Sequence, residues 1–376
     1  MKKLTATAKQ KGAVIIIVLW TSVLLTILVT AMASKVRLSA KTALFNQQAS
    51  QQWSTLMAAV NQAEMELMLE KMVRPIGEQL EESEEGEIRT PAYRFNGQPL
   101  QLNYPQAENM VVRIFDHAGK INLNRIPRRN MQQLIETRLG GVFEADPEQV
   151  QDLLAAWTDW TDLNDLEGLN GAEKEYYQSL DQPYTPRNNP ELDTVEEILH
   201  IKGFAELFEG VNLDAAFTIF GNLRTVNFNL ATREALQLLP GMDDKSIETI
   251  IAFRELEDIS NQSELGELIP FESFQLVSGW FTATNITNVY SIYVYPKAEQ
   301  ESPGRMNGNS AAVNRSTKSD EDDLNTAEID PVLQSYMEIV EIRSFNALPQ
   351  IYRVNPYALL PDAAPARIEE YGIELP

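Results

Sequence analysis

Three groups of residues in this sequence could do chemistry. The first is the run Trp157-Thr158-Asp159-Trp160-Thr161-Asp162-Leu163-Asn164-Asp165-Leu166-Glu167-Gly168, followed closely by Gly171-Ala172-Glu173. Carboxylate and amide oxygens crowded into a glycine-containing loop suit a hard cation, and calcium accepts the irregular shell of about six to eight oxygens that such a loop offers. The spacing is not that of an EF-hand, because counted from Asp162 the acids fall at positions 1, 4 and 6, where the motif wants them at 1, 3 and 5 with glycine at 6. A solvated helix end with capping carboxylates has the same composition, and the residues alone leave both readings open. The second group is Asn227-Phe228-Asn229-Leu230-Ala231-Thr232 with Leu238-Leu239-Pro240-Gly241-Met242, a glycine turn between two short helices. It resembles a helix-hairpin-helix, whose turn amides hold a phosphate. Ile121-Asn122-Leu123-Asn124 with Leu139-Gly140-Gly141, and Ile198 to Phe204 around Gly203, are weaker echoes of it. The third group is the pair of histidines, His117 and His200, which have no spaced partner.

Each group is bounded by what surrounds it. Gly241 is followed by Asp243-Asp244 with only Lys245 beyond, so repulsion replaces the basic steering that nucleic acid needs, and the glycine turns are read as packing devices for small helices. No H-E-x-x-H, G-x-S-x-G or Walker loop occurs, and the chain is not read as an enzyme: no catalytic residue is assigned. The absence of cysteine excludes disulfides, thiol nucleophiles and thiolate metal sites together. The 376 residues hold 54 Asp and Glu against 31 Lys and Arg, a formal charge of -23, which also argues against a nucleic-acid partner.

The charge is divided along the chain. Residues 1 to 34 contain Lys2, Lys3, Lys9 and Lys11 and no acid, and Ala13 to Ser34 is an uncharged, mostly apolar run. As a helix it reaches about 30 Å, the thickness of a bilayer core, so one membrane span is expected. The preceding lysines place the N-terminus in the cytoplasm and the acidic body beyond the inner membrane, in the periplasm. Ala31-Met32-Ala33 resembles a signal-peptidase site, but so long an apolar core is atypical of a cleaved signal. Lys11-Gly12-Ala13 at the edge of the run instead resembles the leader junction of type IV prepilins and pseudopilins. That resemblance implies cleavage after Gly12 by a prepilin peptidase and methylation of the new terminus at Ala13. Most subunits of this kind carry glutamate at the fifth mature position, where this chain has Ile17. An intramembrane carboxylate is retained only where it has a partner, so Ile17 suits a subunit with no neighbour ahead of it.

The elements that must position these groups follow from periodicity. Residues 35 to 72 continue without proline or glycine, with apolar residues at three- and four-residue intervals, and predict a long amphipathic helix. An acidic loop is expected at 78–87, then strands at Ala92–Phe95, Leu100–Tyr104 and Met110–Phe115, with an Asn96-Gly97 turn between the first two. Helical patterns dominate from about Asn124, and strand patterns return at Asn288–Tyr295, Tyr336–Arg343 and Gln350–Val354. The domain reading is a leader at 1–12, a transmembrane helix at 13–34, the helix continuation and first part of the head at 35–123, an inserted helical domain at 124–285, and C-terminal strands at 286–376 with a flexible loop at 299–330.

Taken in order, Lys11-Gly12-Ala13 with Ile17, Asp116 to Asn124, Trp157 to Tyr177, Asn188 with Leu192 to Gly203, and Val226 to Arg254 resemble the type II secretion minor pseudopilin known as general secretion pathway protein K, over roughly residues 9 to 295. The resemblance implies an α+β pseudopilin fold: a long N-terminal helix packed on an antiparallel sheet, with a large all-α domain inserted between strands. It implies a minor pseudopilin that caps and helps initiate the periplasmic pseudopilus, in complex with I-type and J-type minor pseudopilins and other pseudopilins, and anchored in the inner membrane. It also implies bound calcium, with Asp159, Asp162, Asn164, Asp165, Glu167 and Glu173 as candidate ligands. A type IV pilus minor pilin and a membrane-anchored DNA receptor with helix-hairpin-helix elements are the alternatives.

Overall fold

A computed structural model of the chain describes residues 11–71, 95–100, 110–187, 189–297 and 334–361. The first ten residues, the acidic loop at 78–87, most of the strands expected at 92–95 and 100–104, and the loop at 299–330 lie outside the described residues. The chain divides into two units, Met1–Ala58 and Ala59–Pro376.

The first unit is the greater part of α1, Lys11–Glu70. Among the described residues this is the one helix long and apolar enough to cross a membrane. Its side chains from Ile15 to Leu38, Ile17 among them, are exposed to the surroundings. Thr21, Thr26 and Thr30 hydroxyls donate back to the Val18, Ser22 and Thr26 carbonyls. Their polarity is thereby satisfied inside the helix, as an apolar medium requires.

The second unit begins with the last turns of α1, which bury Ala59, Val60, Ala63 and Leu67, four positions on one helical stripe. The sheet consists of β1 (Asn96–Pro99), β2 (Met110–Asp116), β7 (Val289–Pro296), β8 (Gln334–Glu341) and β9 (Gln350–Leu359), in that spatial order. Every pairing in it is antiparallel. All seven residues of β2 and the first seven of β7 are buried, as central strands covered on both faces must be. Since β2 and β7 are neighbours, everything from His117 to Asn288 is an excursion between two adjacent strands.

The expected Asn96-Gly97 turn is corrected: these residues open β1, with Asn96 paired to Phe115 and Pro99 to Arg113 across an irregular register. Gly97 has φ of 90°, and a Cβ there would stand 2.1 Å from the Phe115 ring. Glycine is needed for a bulge that lets the edge strand close over an aromatic side chain, and the local Asn-Gly signal cannot distinguish that from a hairpin.

The excursion is built twice over. Its first half runs through β3 (Ile121–Asn122), α2 (Arg128–Arg138), α3 (Pro147–Thr161), α4 (Lys174–Gln178), α5 (Phe204–Leu207), α6 (Leu213–Ala216) and β4 (Phe217–Thr218). Its second half runs through β5 (Val226–Asn227), α7 (Arg233–Gln237), α8 (Asp244–Leu256), α9 (Gln262–Leu268), α10 (Phe271–Val277) and β6 (Phe281–Thr282). Each half opens with a two-residue strand in an apolar-Asn-apolar-Asn sequence and closes with a parallel Phe-Thr strand. Leu123 N–H donates to Thr218 O, and Phe228 N–H donates to Thr282 O, at equivalent places. Asn124 accepts from Leu192 N–H and donates to Leu192 O and Ile219 O; Asn229 accepts from Ile259 N–H and donates to Ile259 O and Ala283 O. One asparagine thus sews a long return segment to its opening strand in each half. A common core joins them, with Trp157, Phe204, Phe217, Phe228 and Trp280 all buried, each contributing roughly 2 kcal/mol by area removed from water.

Candidate functional site

The candidate calcium loop is the C-terminal end of α3 and the segment leading to α4. Pro147 sits in the first turn of α3, the Asp146 side chain accepts from Glu148 N–H, and the buried stripe Val150, Leu153, Leu154, Trp157, Trp160 fixes the helix on the core. Trp157 stacks on Phe204 at 5.9 Å, and Trp160 meets Tyr177 edge-on at 5.1 Å. These rings hold the two ends of the loop.

Within that frame the six predicted ligands separate. Asp159 and Glu173 are buried, at 5% and 4% exposure. Asp159 Oδ2 accepts from Gly168 N–H and Ala172 N–H, both at 3.0 Å, so this carboxylate folds the loop over itself. A Cβ on Gly171 would fall 1.8 Å from that same oxygen, which explains the glycine. Asp162 caps the end of α3, accepting from Asn164 N–H and Nδ2, and Asn164 Oδ1 accepts from Leu166 N–H. Asn164, Asp165 and Glu167 are exposed. Among the described residues no three acidic or histidine side chains converge tightly enough to form a ready cage.

Glu173 is the anomaly. Both of its carboxylate oxygens are buried with no hydrogen-bond partner of good geometry. Burial pushes its pKa up, the nearby charges of Asp159, Asp162 and Asp165 push it further, and the Lys174 N–H pulls the other way without offsetting them. A desolvated carboxylate in an acidic surround is stabilised by a proton or by a cation. The donor set, all oxygen, fits calcium, with Glu173, Asp159, Asp162 and Asp165 as the residues that would hold it. Lys202 Nζ meanwhile donates to the carbonyls of Asn170 and Gly171, so this ammonium is engaged with the backbone beside the acids.

The other two chemical groups resolve into structure. His117 bonds Thr218 Oγ1 at 2.7 Å and Ser291 Oγ at 2.8 Å, and burial drives its pKa well below the ordinary value. Lys120, brought down to about 8 by burial, donates to Asp214 O and Ser291 Oγ. Asp116, raised to about 6 chiefly by burial, accepts from Ala118 N–H, Thr287 N–H and the Thr287 hydroxyl. Asp116 to Lys120 is therefore the joint where the excursion leaves and rejoins the sheet, a role whose only sequence signal is a charged run at a strand end. At the glycine turn, Gly241 has φ of 73°, and the Asp243 side chain accepts from Ser246 N–H. An acid already occupies the place that a phosphate would take at the start of α8.

The last turns of α1 pack on an antiparallel sheet, and a helical domain is spliced between two neighbouring strands, an α+β arrangement of the kind expected from the resemblance to pseudopilins. Over residues 119–208, from the joint through α5, the sequence matches the family model described as type II secretion system (T2SS), protein K. The match falls on the first half of the excursion. The chain also resembles a solved chain of the GspK-GspI-GspJ complex from the enterotoxigenic Escherichia coli type 2 secretion system. The two share 12% identity at a TM-score of 0.45, covering 82% of this chain and 97% of that one. No curated protein matches the sequence.

Proposed function

We propose that this chain is the minor pseudopilin that caps and helps initiate the periplasmic pseudopilus of a type II secretion system. The observation that carries the reading is the position of the protein K match, which falls on a bulky helical domain spliced into a pseudopilin head. A domain of that size beside the sheet obstructs addition of another subunit above it, while Ile17 leaves no unpaired carboxylate in the membrane. The N-terminus is cytoplasmic and the body periplasmic, from the lysines ahead of the span. A prepilin peptidase cuts after Gly12, and Ala13 becomes the methylated terminus. The partners are I-type and J-type minor pseudopilins, the counterparts of those in the solved GspK-GspI-GspJ complex, together with the other pseudopilins. Calcium bound through Glu173 and its neighbours orders the loop after α3, with Asp159, Asp162, Asn164, Asp165 and Glu167 supplying the remaining oxygens; an affinity of about 0.1–1 mM suffices outside the cytoplasm.

Replacing Gly12 tests the reading. The variant should stay at precursor size, and its cells should retain the exoproteins that wild-type cells release. Normal processing and normal secretion in that variant would sink both the leader assignment and the role in the pseudopilus.

A further inference from the structure

The face of the sheet that receives α1 holds two acids that the fold does not explain. Glu64 on α1 and Glu338 on β8 meet at hydrogen-bond distance, and Tyr336 O–H donates to Glu338 Oε2 at 3.0 Å. Glu338 is 3% exposed and Glu64 half-buried, and the second oxygen of each, Oε1, is buried without a hydrogen-bond partner. Beside them the sheet runs out from under the helix. Register places Val354 opposite Glu338, Ile351 opposite Val340 and Leu359 opposite Gln334, so the three side chains of β9 share the face of the acid pair. They are 48%, 54% and 50% exposed. The arginine of β9, Arg353, lies on the opposite face, paired with Asp214 and Glu196. Among the described residues, the result is an apolar strip on the last strand of the sheet with two carboxyl groups at its inner margin and no base acting on them.

We propose that this seam between the end of α1 and β9 is a docking surface for a partner protein that presents an arginine or lysine from an apolar stripe, the cation entering between Glu64 and Glu338. Charge complementarity selects the partner: two adjoining carboxyls with spare acceptor oxygens match the donor fork of a guanidinium, and the flanking valine, isoleucine and leucine match apolar neighbours of that base. In the free protein a shared proton takes the place of the cation. Burial, the hydrogen bond with Glu338 and the charge of Glu338 raise Glu64 to about 7, in that order of size. The titratable group facing the pair is Tyr336 on β8, whereas Ile351 and Val354 bring no charge from β9. The partner's base must displace the proton, so binding strengthens as pH rises through about 7.

The test uses the full chain in detergent micelles and a dye-labelled peptide of alternating valine and threonine with one central arginine, beside its citrulline twin. Fluorescence anisotropy should show the arginine peptide binding at least about tenfold tighter than the citrulline peptide at pH 8, with the preference shrinking at pH 6. Glu338→Gln should remove the preference and its pH dependence. Glu64→Gln, at the half-exposed position, repeats the measurement if the buried variant fails to fold. No binding, equal binding of the two peptides, or an unchanged preference in a folded Glu64→Gln protein overturns the proposal and leaves the pair as a proton-sharing contact between α1 and the sheet.

Discussion

Replacing Glu173 with glutamine should have opposite consequences without and with calcium. In the absence of metal, Glu173 is a carboxylate at 4% exposure whose oxygens lack hydrogen-bond partners and which faces Asp159, Asp162 and Asp165. A buried, unsatisfied polar group costs on the order of 1–3 kcal/mol, and glutamine retains the shape while removing the charge. The sign follows from the raised pKa. A carboxyl group that holds its proton more tightly when folded stabilises the fold at low pH, and that contribution is lost as pH rises through the folded pKa. At pH 7.5 without metal, Glu173→Gln should therefore melt at or above the native temperature, by about 2–4 °C for each kcal/mol regained in a body of this size. With calcium the order reverses. At 10 mM calcium and a dissociation constant of about 0.1–1 mM, binding stabilises the native fold by roughly 1.4–2.7 kcal/mol. The variant should gain much less. Thermal melts in EDTA and in calcium, with magnesium as the control, give all the needed comparisons. A variant that melts lower than native in EDTA, or gains as much from calcium, would refute the reasoning about Glu173.

Three further outcomes follow from the rest of the head. Asn229→Ala, which strands Ile259 N–H and the carbonyls of Ile259 and Ala283, should cost about 2–4 kcal/mol; Asn124→Ala, at the equivalent but less buried position, should cost somewhat less, and a urea titration in which Asn124→Ala is silent would contradict the repeat. Lys120, with its pKa lowered to about 8 by burial, binds its proton less tightly when folded, so native stability should rise between pH 8 and pH 10 relative to Lys120→Met, whose denaturation midpoint should lack that component. Gly119→Ala would set a Cβ 2.0 Å from the Leu230 carbonyl oxygen, a backbone atom that cannot swing away; a loss on the order of 1–3 kcal/mol in a thermal melt is expected.

How much of this was legible in the sequence depended on the range of the interaction. The apolar run from Ala13, the strands at 110–116 and 289–296, and the capped helices α3 and α8 all announce themselves through local period and local caps. The Asn96-Gly97 pair was misread because its meaning depends on Phe115, which local pattern cannot see. The parallel two-residue strands β3 to β6 are too short to leave a period at all; their signal is the repeated Asn-x-Asn, whose partners lie 30 to 68 residues away. At the candidate site, the family resemblance offered six oxygen donors as candidates. The fold separates Asp159, committed to two backbone amides, from Glu173, which is desolvated without a well-formed hydrogen bond, and that difference in burial and partnering carries the chemistry.

The same difference in partnering marks where the fold keeps its unexplained acids. The interior charges at the joint are spoken for: Asp116 by Thr287 and Ala118, Lys120 by Asp214 O and Ser291, Arg254 by the carbonyls of Phe228 and Ala231. A buried charge with such partners is structural, since removing either member strands the other. Glu173 and the Glu64–Glu338 pair break that pattern, each leaving a carboxylate oxygen buried and unmatched. Both lie toward the margin of the packed body, one beside an exposed loop and one beside an exposed edge strand. In a chain whose charge is -23, acids could have been left in water at no cost. Holding these few half-satisfied at the margins makes sense if something positive arrives from outside, a calcium ion at the loop and a partner's basic side chain at the seam.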